Sequence, residues 1–314
     1  MSQAIERFPL VIIVGPTAVG KTSVSLRLAS EISAEIISVD SVQIYKGLDI
    51  GSAKPNIKER NKIPHHLIDV ANPDEPFDAA HFTRLAWFFI KRIISRGRVP
   101  MLVGGTGLYL RALFQGLSPS QGAHPGIRLQ LKKMADTFGA GILHDFLTTV
   151  DKISAEKIHP NDIFRLIRAL EIYISTGISL SQWHKGQKSP LDGFPRLKIG
   201  LIRDKQKLYE RINQRVDLMM EEGLIYEVKT QLKKGYSPRL NSLQTLGYRH
   251  IIAYLTGELS CKEAVRQLKR DTRHYAKRQI TWFKSDPGIR WFNPDELLKK
   301  EKIWPLILGK KDQR

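Results

Sequence analysis

The residues best equipped for chemistry lie near the start of the chain, in Gly15-Pro16-Thr17-Ala18-Val19-Gly20-Lys21-Thr22. They fit the pattern G-x-x-x-x-G-K-[ST]. Glycines at its two fixed positions let the backbone turn so that successive N–H groups converge on phosphate oxygens. The helix start that follows contributes partial positive charge, and Lys21 a full one. Thr22 offers a hydroxyl oxygen suited to a hard cation such as magnesium. The sequence thus announces a grip on a diphosphate. Two further polar groups close apolar runs downstream: Asp40 after Glu35–Val39, and Thr106 within Gly104-Gly105-Thr106-Gly107 after Val99–Val103.

The elements that must position these groups follow from periodicity. Leu10–Val14 reads as a strand entering the phosphate loop, and Thr22–Ile32 as a helix with Val24, Leu28 and Ile32 on one face. Glu35–Val39, Val99–Val103 and Leu197–Ile202 read as further strands, Ile289–Phe292 as a last one, and residues 55–76 as loop-rich. An amphipathic helix is expected from Asp78 to Arg96. In a doubly wound sheet the carboxyl ends of parallel strands line one crevice. Gly15, Asp40 and Thr106 are therefore expected to converge.

The character changes at Ser118, where Pro119, Gly122, Pro125 and Gly126 mark an exit from the sheet. Residues 127–186 carry helical periodicity, strongest over Asp162–Ile174, where Phe164, Ile167, Leu170 and Ile174 form an expected buried stripe capped by Asn161 or Asp162. The expected architecture is an α/β fold: a P-loop NTPase-like parallel sheet flanked by helices, with an inserted all-helical domain. Residues 1–118 and 197–314 would form the core domain and 119–196 the insertion. Helices are expected over Lys205–Glu222, Leu224–Lys234, from Gly247-Tyr248 to Leu255, and, long and basic, over Lys262–Lys284. The tail after Gly309 reads as disordered.

Composition narrows the partners. The 314 residues contain 50 lysines and arginines against 31 acids, a formal charge of +19. A diphosphate site needs only a few of these charges, so the excess points to a larger polyanion. The aromatics Tyr275, Trp282 and Phe283 within the basic helix set it apart from a solvated charge run. One cysteine, Cys261, excludes an internal disulfide framework and a Cys-cluster zinc site. With neither a signal-peptide core nor a membrane-spanning apolar run, the expected location is the cytoplasm.

A phosphate loop by itself suggests a nucleotide kinase or ATPase, which also needs a carboxylate for its metal. Asp40 fills that role, or else serves as a base facing a second substrate; spacing alone leaves both open.

Resemblance adds a more specific reading. GPTAVGKT (Gly15–Thr22), SVDSVQIYKGLDIGSAKP (Ser38–Pro55), VGGTGLYLRAL (Val103–Leu113), HPND (His159–Asp162), RLIRALE (Arg165–Glu171), LGYR (Leu246–Arg249) and AKRQITWFK (Ala276–Lys284) run in order along the chain. Together they resemble the bacterial tRNA dimethylallyltransferase (isopentenyltransferase) family. The resemblance implies transfer of a dimethylallyl group from dimethylallyl diphosphate to N6 of adenosine 37, in tRNAs that read codons starting with U, with Mg2+ as cofactor.

It further implies that Gly15, Pro16, Thr17, Ala18, Val19, Gly20, Lys21 and Thr22 hold the diphosphate, with Thr22 on the metal. Asp40 would be the base and Thr106 a contact at the reaction centre. Arg211 or Arg215 would also touch the diphosphate. Contacts to tRNA are implied for Asp40, Ser41, Val42 and Gln43, for Thr106 and Arg128, and for Phe164, Arg165, Leu166, Ile167 and Arg168. They continue through Gln244, Thr245, Leu246, Gly247, Tyr248 and Arg249. The last group is Lys277, Arg278, Gln279, Ile280, Thr281, Trp282, Phe283 and Lys284. Phe164 and Ile167 depart from the more polar residues of some relatives, which suits packing in the helical core. The expected working unit is a monomer on one tRNA, with no membrane involved. The competing readings are a P-loop small-molecule or nucleotide kinase and a non-catalytic RNA-binding protein.

Overall fold

A computed structural model describes residues 10–116, 124–186, 189 and 191–309. In chain order the elements are β1 (Leu10–Val14), α1 (Lys21–Ile32), β2 (Ala34–Val39), α2 (Ile57–Lys62), β3 (His65–His66), α3 (Ala79–Ser95), β4 (Val99–Gly104) and α4 (Gly107–Gln115). Then come α5 (Pro125–Phe138), α6 (Gly141–Val150), α7 (Lys152–Ala155), α8 (Ile163–Thr176) and α9 (Leu180–Gly186). The chain continues with β5 (Arg196–Leu201), α10 (Lys205–Glu221), α11 (Leu224–Lys233), α12 (Tyr248–Leu255), α13 (Cys261–Lys284), β6 (Ile289–Phe292), α14 (Pro294–Leu298) and α15 (Trp304–Gly309).

The six strands form one sheet in the order β3-β2-β4-β1-β5-β6, every pair parallel. The apolar runs of β1 and β2 are buried at every position, as expected of strands covered on both faces. Register matters here. Gly104 pairs with Val14 on one side and Val39 on the other, so β1, β4 and β2 end side by side. This places the phosphate loop, the Gly104–Gly107 turn and Asp40 at one edge of the sheet, as the apolar runs predicted.

Two compact units result: Met1–Leu110 with Gly193–Arg314, and Arg111–Asp192. In the first, α1 turns Val24, Leu28 and Ile32 onto Val11, Ile13, Ile36 and Met101. A second apolar cluster joins Ile44, Tyr45 and Leu48 to Val216, Leu224, Tyr248 and Leu268, fixing the segment after Asp40 against α10–α13. Glu227 accepts hydrogen bonds from the N–H groups of Asp49, Ile50 and Gly51 and from the Tyr248 hydroxyl. Lys54 donates to Tyr45 O at 2.8 Å and pairs with Asp49 and Asp69. The charged residues of the Ser38–Pro55 motif are thus largely engaged in holding their own loop.

The second unit is all-helical, with Leu131, Leu143, Leu147, Leu166, Ala169 and Leu170 at its centre. The stripe expected on α8 is rotated. Leu170 is buried, but Phe164 is 80% exposed and Ile174 46% exposed, while Leu166 and Ala169 point inward. Two apolar stripes compete on this helix, and Glu171 decides between them. Its carboxylate is buried, accepting from His124 N at 2.8 Å, Arg128 Nε at 2.7 Å and Arg168 Nη1 at 2.7 Å. Asp162 caps the helix by accepting from Arg165 N.

The loop-rich reading of 55–76 missed α2 and the two-residue β3, too short to show periodicity; α14 and α15 were missed as well. The sheet exit at Ser118, Pro119 and Gly122 and the tail beyond Gly309 lie outside the described residues.

Candidate active site

The ends of β1, β2 and β4 open into a cavity of about 680 Å3. Its wall combines the phosphate loop (Thr17, Ala18, Gly20, Lys21 and Thr22), Asp40 to Gln43, Gly105, Arg211 and Arg215. Gln244 to Gly247, Arg249, Tyr275, Arg278 and Gln279 complete it. Such a volume suits a small organic ligand with room for a second group.

The phosphate loop is shaped by contacts on its outer side. Gly15 has φ 151°, and a Cβ there would lie 2.6 Å from Leu201 O; Gly20, at φ 108°, precedes α1 with no side chain capping the helix. Arg203 Nε donates to Val19 O at 2.8 Å while its guanidinium pairs with Asp295, and Arg211 Nε donates to Ala18 O at 3.0 Å. Carbonyls are thereby drawn outward, and the first-turn amides of α1 are left for an anion. Lys21 Nζ donates to Gly15 O and Pro16 O, both at 2.9 Å. Burial and the neighbouring Arg215 pull the Lys21 ammonium down to about 7, with Asp40 opposing them. Burial likewise lowers Arg215, which has no salt-bridge partner among the described residues and faces Asp40 across the site. A cluster with this much uncompensated positive charge is built to receive an anion.

Asp40 extends from the end of β2 and its Oδ1 accepts from Val42 N at 2.8 Å and Gln43 N at 3.2 Å. One carboxylate oxygen therefore anchors the following turn, and the residue lines the cavity. Gln43 is committed internally: its amide donates to Ser52 O and Ala53 O and accepts from Ser38 Oγ.

Thr106 follows Gly105, and the N–H groups of both donate to Val39 O at 3.2 Å, so the turn is pinned beside Asp40. Thr106 Oγ1 is buried without a hydrogen-bond partner among the described residues. The Tyr275 hydroxyl, raised by burial and by Asp40, faces it. The glycines around Thr106 make room for protein. A Cβ on Gly105 would lie 2.1 Å from Gln279 Nε2, and one on Gly107 2.3 Å from Trp282 Nε1. Both contacts come from α13.

That helix is two-sided. Lys277, Arg278, Thr281, Trp282 and Lys284 are exposed, and Ile280 and Phe283 pack into the fold. Gln279 is buried, and both ends of its amide bond the protein backbone. In the Gln244–Arg249 segment, Gln244 donates to Pro238 O, Thr245 to Ser242 O, and Arg249 pairs with Asp271, while Leu246 and Gly247 line the cavity. Tyr248 is fully buried. In the helical unit Phe164 is open to solvent and Arg165 lies 3.3 Å from Asp162; Arg128 and Arg168 clasp Glu171, Ile167 is partly buried, and Leu166 is fully buried.

The side chains of Leu166, Tyr248 and Phe283 are enclosed by the surrounding protein, and Gln279, though buried, lines the cavity. Sequence reasoning missed Arg203 and the placement of Tyr275 beside Thr106. An arginine two residues past the end of β5 was the only signal for the first; nothing local marked the second.

Among the described residues no group of three or more His, Cys, Asp and Glu side chains could hold a metal. Magnesium needs less than that. It binds through one or two protein oxygens and takes the rest from phosphate and water. The Thr22 hydroxyl, on the cavity wall, fits such a donor set as its protein oxygen. No helix of the described residues is long and apolar enough to cross a membrane.

Comparison with known proteins agrees with this geometry. The family model described as IPP transferase matches residues 43–286, and that described as isopentenyl transferase matches residues 8–76. The tRNA dimethylallyltransferase 2 of Geotalea uraniireducens is 48% identical over 286 residues, 91% of this chain and 92% of that protein. The tRNA dimethylallyltransferase of Halothermothrix orenii is 48% identical over 90% of this chain and 87% of its own length. Among solved structures, the tRNA isopentenylpyrophosphate transferase of Bacillus halodurans superposes with TM-score 0.67 at 44% identity, covering 90% of this chain and 89% of the other. A eukaryotic dimethylallyltransferase acting on tRNA gives TM-score 0.73 at 27% identity, covering 97% and 81%. With a matching family model across most of its length and relatives of this identity, the chain belongs to the IPP transferase family of tRNA dimethylallyltransferases.

Proposed function

We propose that this chain transfers the dimethylallyl group of dimethylallyl diphosphate to N6 of adenosine 37, in tRNAs reading codons that start with U. The products are N6-(dimethylallyl)adenosine and diphosphate. The observation that carries this reading is the shared cavity: a cationic phosphate loop and the Asp40 carboxylate line one space. Family membership sets the kinase alternative aside.

In this reading N6 attacks the allylic carbon bonded to the diphosphate oxygen; the new C–N bond forms as the C–O bond breaks. Adenine's amino group is a weak nucleophile because its lone pair is delocalised into the ring. Asp40, held by Val42 N and Gln43 N through one oxygen, accepts the departing N6 proton on the other. Lys21, Arg215 and the amides at the start of α1 hold the diphosphate, whose negative charge grows as the bond breaks. Their stabilisation is therefore strongest in the transition state. Thr22 would hold Mg2+, which supplies charge neutralisation on the leaving group. Thr106, pinned beside Asp40 through Val39 O, would steady the reacting base.

The target base must leave its stack to enter the cavity. Exposed Arg278, Lys277, Trp282 and Lys284 on α13 would receive the anticodon loop, with Arg249 and the Gln244–Gly247 backbone at the cavity wall. Phe164 and Arg165, exposed on α8, would contact the stem, with backbone contacts fixing register. The proposed working unit is one chain per tRNA.

The test is incubation of purified protein with Mg2+, labelled dimethylallyl diphosphate and an A36-A37-A38 anticodon stem-loop, followed by mass spectrometry of the RNA. One added dimethylallyl group on A37, formed without ATP, is expected. An unmodified stem-loop, or a product that requires ATP, would refute the reading.

A further inference from the structure

Among the described residues, the long basic helix α13 is hydrogen-bonded to the phosphate loop through Gln279, beside the packing of Ala276 in the apolar cluster that includes Val19. Gln279 Oε1 accepts from Thr17 N at 2.8 Å, and its Nε2 donates to Gly105 O at 3.0 Å. One amide thus ties the loop after β1 to the turn after β4. These segments are far apart in sequence, and Gln279 lies 262 residues beyond Thr17. The approach is tight: Gly105 must lack a Cβ, because one would sit 2.1 Å from Nε2. At 6% exposure Gln279 has little access to solvent, while its neighbours Lys277, Arg278, Thr281 and Trp282 face outward.

From this geometry we infer that Gln279 is a positioning residue for diphosphate binding, acting by bracing the phosphate loop against the Gly105–Thr106 turn. The inference rests on the proposed prenyl-transfer reading.

The physical basis is preorganisation. A phosphate loop binds its anion through several amides that must point inward together, and ordering a loose loop on binding subtracts from affinity. Arg203 and Arg211 hold the Val19 and Ala18 carbonyls on the C-terminal half of the loop. Gln279 provides the matching brace at Thr17, in the N-terminal half. A glutamine amide accepts from Thr17 N–H and donates to Gly105 C=O at this reach without carrying charge. Asparagine is one methylene short, and glutamate offers two acceptors unless protonated. A protonated glutamate has the same shape as glutamine, with one C=O and one O–H.

The experiment uses the full chain and two variants, Gln279→Leu and Gln279→Glu. Three quantities are measured: inorganic diphosphate affinity by calorimetry in Mg2+, stem-loop affinity by filter binding, and prenyl transfer from pH 6 to pH 8. For Gln279→Leu, diphosphate affinity is expected to fall about tenfold or more, with two buried backbone groups left unpaired. Stem-loop affinity should stay within about twofold of the wild type. For Gln279→Glu, the ratio of its kcat/KM for the donor to that of the wild type should rise as pH falls, because protonation restores the missing donor. The Gln279→Leu ratio should stay flat. Thermal melts of each variant separate a folding defect from a positioning one.

A stem-loop affinity that falls while diphosphate affinity holds would overturn the inference and make Gln279 an RNA-contacting residue. A flat pH ratio for Gln279→Glu would also overturn it. If the wild type itself transfers no prenyl group in the same assay, the functional reading fails, and the diphosphate titrations still judge the brace.

Discussion

Lys21 is held in the folded protein at an energetic cost that diphosphate should remove. Its ammonium is pulled from 10.5 down to about 7 by burial and by Arg215, with Asp40 only partly opposing. A base whose folded value lies below its unfolded one destabilises the fold fully at pH below the folded value. The penalty is relieved as pH rises from about 7 to 10.5. At 1.36 kcal/mol per pH unit the full penalty is on the order of 5 kcal/mol, and about 2 kcal/mol of it is relieved between pH 7 and pH 9. Lys21→Met removes the titration altogether. Without ligand, the variant's Tm advantage at pH 7 over the wild type should shrink by roughly 5 °C when both are melted at pH 9. Comparing the gap at two pH values cancels whatever Lys21 loses through its bonds to Gly15 O and Pro16 O. Diphosphate should reverse the order. At about 100 times its Kd it stabilises the wild type by about 2.7 kcal/mol and the variant scarcely at all. A gap that is the same at both pH values, or that widens toward pH 9, would refute the account of Lys21 as a partly buried cation kept for an anion.

Asp40→Asn keeps an acceptor for Val42 N and Gln43 N but loses the base. Single-turnover transfer should fall about 100-fold or more with stem-loop affinity nearly unchanged, and equal losses in both would reduce Asp40 to a turn cap. Gly104→Ala should destabilise by about 3 kcal/mol in urea unfolding, since its Cβ would lie 2.0 Å from Val39 O, a backbone atom of the neighbouring strand. Glu171→Gln should lower the stability of the helical unit by about 2 kcal/mol or more, read by its helical CD melt. Burial works against ionisation of Glu171, but the bonds from Arg128, Arg168 and His124 N–H outweigh it and hold the carboxyl below 4.5. Its wild-type contribution is therefore present above pH 4.5 and lost as pH falls through the lower folded value. Phe164→Ala should leave that melt unchanged, the ring being 80% exposed, while weakening stem-loop binding about threefold to tenfold, the loss of one stacking or apolar contact.

Sequence reading succeeded where the information is local. The turn from β1 into α1 needs glycine at positions 15 and 20 and an apolar run before them, all within a dozen residues. Asp40 and Thr106 were legible for a related reason: each ends a buried parallel strand, and strand ends in such a sheet share one edge. Reading failed where a residue's role depends on a partner distant in the chain. Nothing local to Gln279 in the basic helix announces its partners, Thr17 and Gly105. Arg203 was not singled out, yet it holds Val19 O and pairs with Asp295. The α8 stripe failed for the same reason. Periodicity pointed to Phe164 as part of the inward face; the helix is instead turned to bury Leu166 and Glu171, whose partners Arg128 and His124 lie more than forty residues earlier. These long-range polar ties share a physical logic. Each buries a group that is costly to leave unpaired, so the tie specifies one arrangement of segments that hydrophobic packing alone would leave loose. In the catalytic unit they converge on the phosphate loop from three directions, through Arg203, Arg211 and Gln279. A loop held this firmly need not be ordered by its ligand, so more of the binding energy remains for the charge that develops as the carbon–oxygen bond breaks.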